Sequence, residues 1–284
     1  MTFKQSIVRH TPSQFIHWGK WLFDSRYRRK SRHLARIESV PRYQPTVTGI
    51  FGKPLELIDS SSFIGMYREI FEREIYRFQS NKDRPYIVDC GANIGLSVLY
   101  FKQLYPNSRI VAFEPDEMIF AVLMRNLKSQ DCEEVELHCR AVWDSETTLS
   151  FVGEGADAGR LSRNGEPGNK VVRTARLRDY LNTRVSFLKI DIEGAETRVL
   201  QDCADLLGNV DNLFVEYHSF ADEPQTLHSL LGILANAGFR VHVLPENISP
   251  RPFVERNIQA KMDMQLNVFA FRPAGNAELE NQKP

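Results

Sequence analysis

The sequence predicts an α/β fold: a doubly wound, mostly parallel sheet of seven strands, the last antiparallel, with helices on both faces. Three observations point there. From Tyr86 onward, strand-like apolar runs alternate with helix-like patterns. Most of these runs are continuous rather than alternating, as in strands buried on both faces. The first run, "YIVDCGANIGLSVLYF", breaks at two glycines four residues apart before a helical pattern begins. Glycines so spaced let backbone pass close to something.

The elements follow in order. Strands are expected at Tyr86–Cys90, Arg109–Glu114, Val135–His138, Val185–Ile190, Asn212–Tyr217, Arg240–Leu244 and Leu266–Phe271. Helices are expected at Leu96–Leu104, Asp116–Ser129, Gly194–Leu206 and Pro224–Ala237. Thr148–Val152 and Lys170–Arg176 read as a small β-ribbon flanking "GEGADAGRLSRNGEPG", a glycine-rich loop expected to cover a site. No helical pattern separates the last two strands, only "PENISPRPFVERN" with its three prolines, so the final strand is expected to run antiparallel.

A chain of 284 residues, 42% hydrophobic, suits one sizeable domain with an appendage. We divide it into a basic, aromatic N-terminal segment (1–50), a main domain (51–274) and a polar tail (275–284). Lys and Arg balance Asp and Glu at 36 each, so the whole chain is not steered toward nucleic acid. The balance is local: "FIHWGKWLFDSRYRRKSRHLARI" (15–37) joins aromatics to a basic run. That pattern suits either a helical cap on the main domain or peripheral contact with an anionic membrane. The four cysteines form neither a zinc nor a disulfide pattern, and no run approaches the ~18 apolar residues of a membrane span. The N-terminus lacks a signal-peptide core, so a cytoplasmic protein is expected.

In an open α/β sheet ligands sit beyond the carboxyl ends of the strands, at the switch point. There Gly91 permits a tight turn, Gly95 permits crowding, and the start of the next helix offers backbone N–H groups. The spacing G-A-N-I-G is not the GxGxxG of a nicotinamide dinucleotide site. Glu114, 19 residues after Gly95 at the end of the second strand, suits the two hydroxyls of a ribose. An adenosine-bearing cofactor follows from the three together.

"VDCGANIG", "VAFEPD", "FLKIDIEGAE" and "LFVEYH", in this order and spacing, resemble the FkbM family of S-adenosylmethionine-dependent methyltransferases. The resemblance spans roughly Phe63 to Phe271 and leaves out the first fifty residues; Cys90 stands where a valine-like residue is expected. It implies a class I methyltransferase (Rossmann-like) fold, S-adenosylmethionine as methyl donor, and O-methylation of a sugar, glycan or complex natural product, with lipid-linked or polyketide acceptors as further candidates. Carried over by position, Asp89, Gly91, Asn93 and Gly95 line the methionine end of the cofactor, and Ser97 sits at the helix start. Glu114 takes the ribose, Pro115, Asp116 and Ala141 lie near the adenine, and Tyr76 and Glu72 cover the methionine end.

An aliphatic hydroxyl needs a base within hydrogen-bond reach before it attacks well. The fourth and fifth main strands end in "DIEGAE" and "VEYH" and offer Asp191, Glu193, Glu216 and His218. His218, with an ordinary pKa of ~6.5, is the expected base. Asp191 is the alternative, and Glu196 reads as a helix-start carboxylate. Asp191, Glu193 and Glu216 could also gather a divalent cation, although no spacing requires one. The acids and the absence of a Pro-Pro-aromatic motif disfavour nucleic acid. A small-molecule or glycan acceptor is expected; homo-oligomerisation is open. The competing readings are a non-catalytic cofactor-binding module and a nicotinamide-dependent oxidoreductase.

Overall fold

The computed structural model describes residues 25–153, 159–162 and 168–272. Phe15–Phe23 and the tail from 275 lie outside these residues, as do parts of the glycine-rich loop. A helix α1 (Ser25–Glu38) precedes a hairpin of β1 (Thr46–Thr48) and β2 (Leu55–Leu57), which straddles the boundary placed at residue 50. Helix α2 (Ser60–Tyr67) continues into one π turn, Arg68–Glu72. The expected alternation follows: β3 (Tyr86–Cys90), α3 (Leu96–Leu104), β4 (Arg109–Phe113), α4 (Glu117–Ser129) and β5 (Glu136–His138). After β6 (Ala141–Trp143), β7 (Thr148–Val152), β8 (Arg160–Leu161) and β9 (Lys170–Arg176) come β10 (Val185–Ile190), α5 (Glu196–Asp202), β11 (Val210–Phe220), α6 (Leu227–Asn236), β12 (Arg240–Asn247) and β13 (Met262–Phe271).

The main sheet runs β12-β13-β11-β10-β3-β4-β5. β13 is antiparallel to both neighbours and the other pairs are parallel. This is the seven-stranded class I methyltransferase sheet that the resemblance implied. The chain leaves β3 toward β4 and β5, then returns to β10 on the other side of β3. The switch point therefore lies between the ends of β3 and β10, whose residues pair as Ile190↔Cys90.

Side-chain parity explains the continuous apolar runs. Ile87, Ile110 and Phe187 enter one core with α3 and α4, whereas Val88, Val111 and Leu188 enter a second core with α5 and α6. Fully burying one such side chain is worth roughly 1.5–3 kcal/mol. The basic helix α1 joins the first core through Ile37, 3% exposed, with Leu34 packed beside it, and Lys30 pairs with Glu72 at 2.7 Å.

Some expected elements differ in extent. α5 starts at Glu196 rather than Gly194, because Glu193 (φ 56°) and Gly194 (φ 101°) are left-handed and cannot enter an α-helix. β11 reaches Phe220 because β13 pairs along its length, with an irregularity at Ser219/Phe220. The ribbon forms as expected through Thr148↔Arg173, with β6 and β8 added at its sides.

Candidate active site

Gly91 and Gly95 make room for different things. Gly91 has φ 91°, and a Cβ there would lie 2.0 Å from the Asp191 carbonyl oxygen. The glycine lets the end of β3 press against the end of β10. Gly95 has φ 100°, and its Cβ would meet Leu123 Cδ1 of α4 at 2.8 Å. It serves helix packing and does not reach the cavity.

Beyond these strand ends lies a cavity of about 630 Å³, within the usual range for small-ligand sites. Of the expected residues, Tyr76, Gly91, Asn93, Ser97, Glu114, Pro115, Ala141, Asp191, Glu193 and Glu216 line it. Glu114 is 6% exposed. Its Oε2 accepts from the Asn93 N–H at 3.0 Å and its Oε1 from the Asp116 N–H at 2.9 Å. Burial pushes its pKa up to about 7, with nearby Asp116 adding to the rise and the two amides opposing it. Helix α3 begins at Gly95 without a side-chain cap, and its first turn, Leu96 and Ser97, forms wall.

Five expected residues lie behind the wall. Gly95 is one. Asp89, fully buried, accepts from Ser97 Oγ at 2.5 Å and faces Lys189 across the ladder at 3.5 Å. It braces two wall residues. Asp116 caps α4 by accepting from the Met118 N–H and pairs with Lys170 at 2.5 Å, which turns its carboxylate away from the cavity. Glu72 points at Lys30 of α1, because the π turn gives Glu69 and Ile70 to the cavity instead.

His218 is the largest departure. Its side chain is 0% exposed, and Nδ1 lies 2.8 Å from Glu196 Oε1. Nε2 sits 3.6 Å from both Glu193 Oε2 and Glu216 Oε1. Burial alone would lower its pKa, but Glu193, Glu196 and Glu216 hold it well above the ordinary value. The ring lies behind the cavity wall with its Nδ1 side taken by Glu196, so this geometry does not suit His218 to the part of base. Glu196 itself accepts from the Gly194 N–H at 2.8 Å and so fixes the turn as well as the ring.

Sequence reasoning overlooked Lys189. It is fully buried in β10 and lines the cavity, donating to the Gly91 carbonyl at 2.8 Å and to Asp191 Oδ2 at 3.2 Å. Its ammonium lies 5.9 Å from the Tyr76 ring centroid. Burial opposes its charge, yet Asp191 and Asp89 keep its pKa well above normal. A lysine inside the otherwise apolar run "FLKI" was the available signal. Glu69 and Glu246 were also missed. Both line the cavity, and burial followed by a hydrogen bond to Glu246 pushes Glu69 up to about 8. For Glu216, burial and then Asp191 raise the pKa well above normal, with His218 opposing.

The expected loops reach the cavity through Arg160 and Leu161 of the glycine-rich segment and through the connection from β12 to β13, with Glu246 at the end of β12, Gln259 between the strands and Gln265 in β13. Arg42 and Tyr43 close another side, anchored on Asp59 by Arg42 at 3.2 Å and the Tyr43 N–H at 2.7 Å.

Comparison with known proteins gives this arrangement a family. The chain is 32% identical over 174 residues to the methyltransferase sdnD of Sordaria araneosa, covering 48% of this chain and 67% of that protein. It is 26% identical over 214 residues to the 31-O-demethyl-FK506 methyltransferase FkbM of Streptomyces tacrolimicus, covering 62% of this chain and 81% of that one. The crystal structure of methyltransferase FkbM from Methylobacillus flagellatus KT superposes with a TM-score of 0.44 at 18% identity, covering 70% of this chain but only 46% of that one. The family model for the methyltransferase FkbM domain matches residues 89–241, more than half of the 284 residues, and the chain therefore belongs to the FkbM methyltransferase family.

Proposed function

We propose that this methyltransferase moves the methyl group of S-adenosylmethionine to a hydroxyl of a sugar, glycan or complex natural product. The observation that carries the reading is Glu114, a buried carboxylate on the cavity wall whose two oxygens are fixed by the Asn93 and Asp116 amides beside the Gly91 turn. Each oxygen keeps a lone pair for a ribose hydroxyl. The carboxylates of Asp191, Glu193 and Glu216 on the same wall suit a ligand bearing a sulfonium and an ammonium. The Streptomyces relative's name, which specifies an O-demethyl substrate, supports oxygen as the acceptor atom.

When bound, S-adenosylmethionine supplies a methyl group already activated on sulfur. The chain must add alignment, which can be worth ~7–11 kcal/mol, and a place for one proton. Lys189 donates to Asp191 Oδ2 at 3.2 Å, so that oxygen already holds a donor. Glu216 faces the cavity from β11 with, among the described residues, a 3.5 Å contact from Gln265 and a 3.6 Å contact to His218 on its Oε1. We assign Glu216 as the group that receives the hydroxyl proton. The acceptor lies between Arg42–Tyr43, Arg160–Leu161 and the segment after β12. Four free thiols, three of them buried as apolar packing, are in keeping with a reducing, cytoplasmic setting.

The test is methyl-labelled S-adenosylmethionine incubated with the purified chain and an extract of its source, fractionated into small-molecule, glycan, lipid and macromolecular pools. Alkali-stable label in a glycan or natural-product fraction is expected, reduced at least tenfold by Glu216→Gln. Alkali-labile label would indicate ester formation and refute the hydroxyl reading.

A further inference from the structure

We propose that Asp191, Glu193 and His218 form a binding site for a first-row divalent cation in the cavity wall. The proposal rests on the methyltransferase reading only for its purpose, since the donor set stands independently.

One ligand atom from each of the three residues lies within 4.8 Å of the others. Acids gathered at a strand end are common, so the argument turns on His218. Its ring is fully buried, and Nε2 has no hydrogen-bond partner among the described residues. A buried, orphaned imidazole nitrogen is costly unless something occupies it. The other nitrogen settles what that can be. Glu196 Oε1 already accepts from the backbone N–H of Gly194, so at 2.8 Å from Nδ1 it accepts there too. Nδ1 therefore carries a hydrogen, and Nε2 of the neutral ring presents a lone pair toward Glu193 and Asp191. A carboxylate holding the far nitrogen of a histidine is the arrangement that orients imidazole toward a metal.

The distances agree. Ligand bonds of ~2.0–2.2 Å place two donors on one ion ~3–4.3 Å apart, and Nε2 lies 3.6 Å from Glu193 Oε2. The backbone also invests in this geometry: Glu193 adopts φ 56° and Gly194 φ 101°, which carries Glu193 back to the wall beside Asp191. A metal-bound imidazole is neutral, so Nε2 would carry no proton with the ion in place. Lys189, 3.2 Å from Asp191 Oδ2, opposes a cation, but it is bound on its other side to the Gly91 carbonyl.

One imidazole with two carboxylates favours manganese, iron, cobalt or zinc over calcium and magnesium. Asp191 and Glu193 both line the cavity, so the remaining positions of the ion open where the acceptor hydroxyl is expected. The chemical class implied is an acceptor that chelates, such as one with vicinal oxygens. Nothing in the sequence spacing announced this, because the donors come from two strands.

The experiment uses the full-length chain, stripped with chelator and dialysed. Mn2+ is titrated by equilibrium dialysis with electron paramagnetic resonance, and Co2+ by visible absorption. About one ion per chain is expected, with a Co2+ spectrum perturbed by nitrogen ligation. Asp191→Asn, at a partly exposed position, and His218→Asn should each weaken Mn2+ binding more than tenfold, and Glu196→Gln should weaken it ~10–100-fold through the ring it orients. Circular dichroism on every variant separates loss of the site from loss of the fold, and Asp191→Asn keeps the test decisive if His218→Asn does not fold. Absence of stoichiometric Mn2+ in the wild type, or unchanged binding in a folded Asp191→Asn chain, overturns the proposal. S-adenosylhomocysteine titrated into the metal-free chain tests the parent reading separately: binding of that ligand without any metal binding sinks the cation site alone, and the converse sinks the cofactor assignment alone.

Discussion

Glu114 gives the sharpest test of the proposed ribose recognition. Its carboxyl is pushed from an ordinary 4.5 to about 7, chiefly by burial. Two hydroxyl donors favour the ionised form, so binding selects ionised Glu114. With an apparent pKa near 7, roughly 3% of the carboxyl is ionised at pH 5.5 and nearly all at pH 8.5. S-adenosylhomocysteine should therefore bind about 30-fold more weakly at the lower pH. A carboxyl raised in the folded state contributes stability that is fully present below pH 4.5 and lost as the pH rises to about 7. At 1.36 kcal/mol per unit that is at most ~3 kcal/mol, which the bound ligand partly restores. Glu114→Gln offers one acceptor oxygen where two backbone N–H groups compete, so one amide is orphaned at ~1–3 kcal/mol. The variant should bind ~10–100-fold more weakly at pH 8.5, and its affinity should no longer fall between pH 8.5 and 5.5. Isothermal titration of both proteins across that range measures it. A wild-type affinity that is flat with pH, or a variant that keeps the wild-type profile, refutes the reasoning.

Other residues give independent checks. Lys189→Met removes the partner of buried Asp89 and of the Gly91 carbonyl; urea denaturation should show a loss of ~3–5 kcal/mol, and a loss under ~1 kcal/mol would mean the pair is not held as described. Gly91→Ala drives a Cβ into the Asp191 carbonyl at φ 91°, whereas Gly95→Ala meets chiefly the flexible end of Leu123. The first should cost more than ~2 kcal/mol and abolish S-adenosylhomocysteine binding, and the second should cost less; the reverse order in thermal melts would contradict the assignment. Asp59 is held down to about 2 against burial by the Ser62 and Tyr43 amides and Arg42. Its stabilisation, about 1–2 kcal/mol after screening, is present above pH 3.8 and lost as the pH falls through about 2. Asp59→Asn should flatten the acid-unfolding curve in that window.

The strands were legible because both faces of the sheet are covered, so β3, β4 and β10 read as unbroken apolar runs. Glu114 and the Gly91 turn were legible because they sit at strand ends, where chain direction alone fixes position. His218 misled because strand parity puts it with Glu216 but says nothing of depth: Glu216 reaches the cavity while Glu196, from a different element, holds the His218 ring behind it. Gly95 looked like part of a ligand cradle and instead admits Leu123, a contact with a helix 28 residues later that spacing cannot reveal. Glu69 and Glu246 were illegible because a π turn and a strand extended past its expected end place them, and neither leaves a periodic signature.

The cavity beyond β3 and β10 is proposed to hold an adenosine-bearing methyl donor. The most direct test is calorimetric titration of the purified chain with S-adenosylhomocysteine, alongside NADH as the competing adenosine ligand. Saturable binding of about one S-adenosylhomocysteine per chain is expected, with no saturation by NADH. Saturation by NADH with no response to S-adenosylhomocysteine would contradict the proposal.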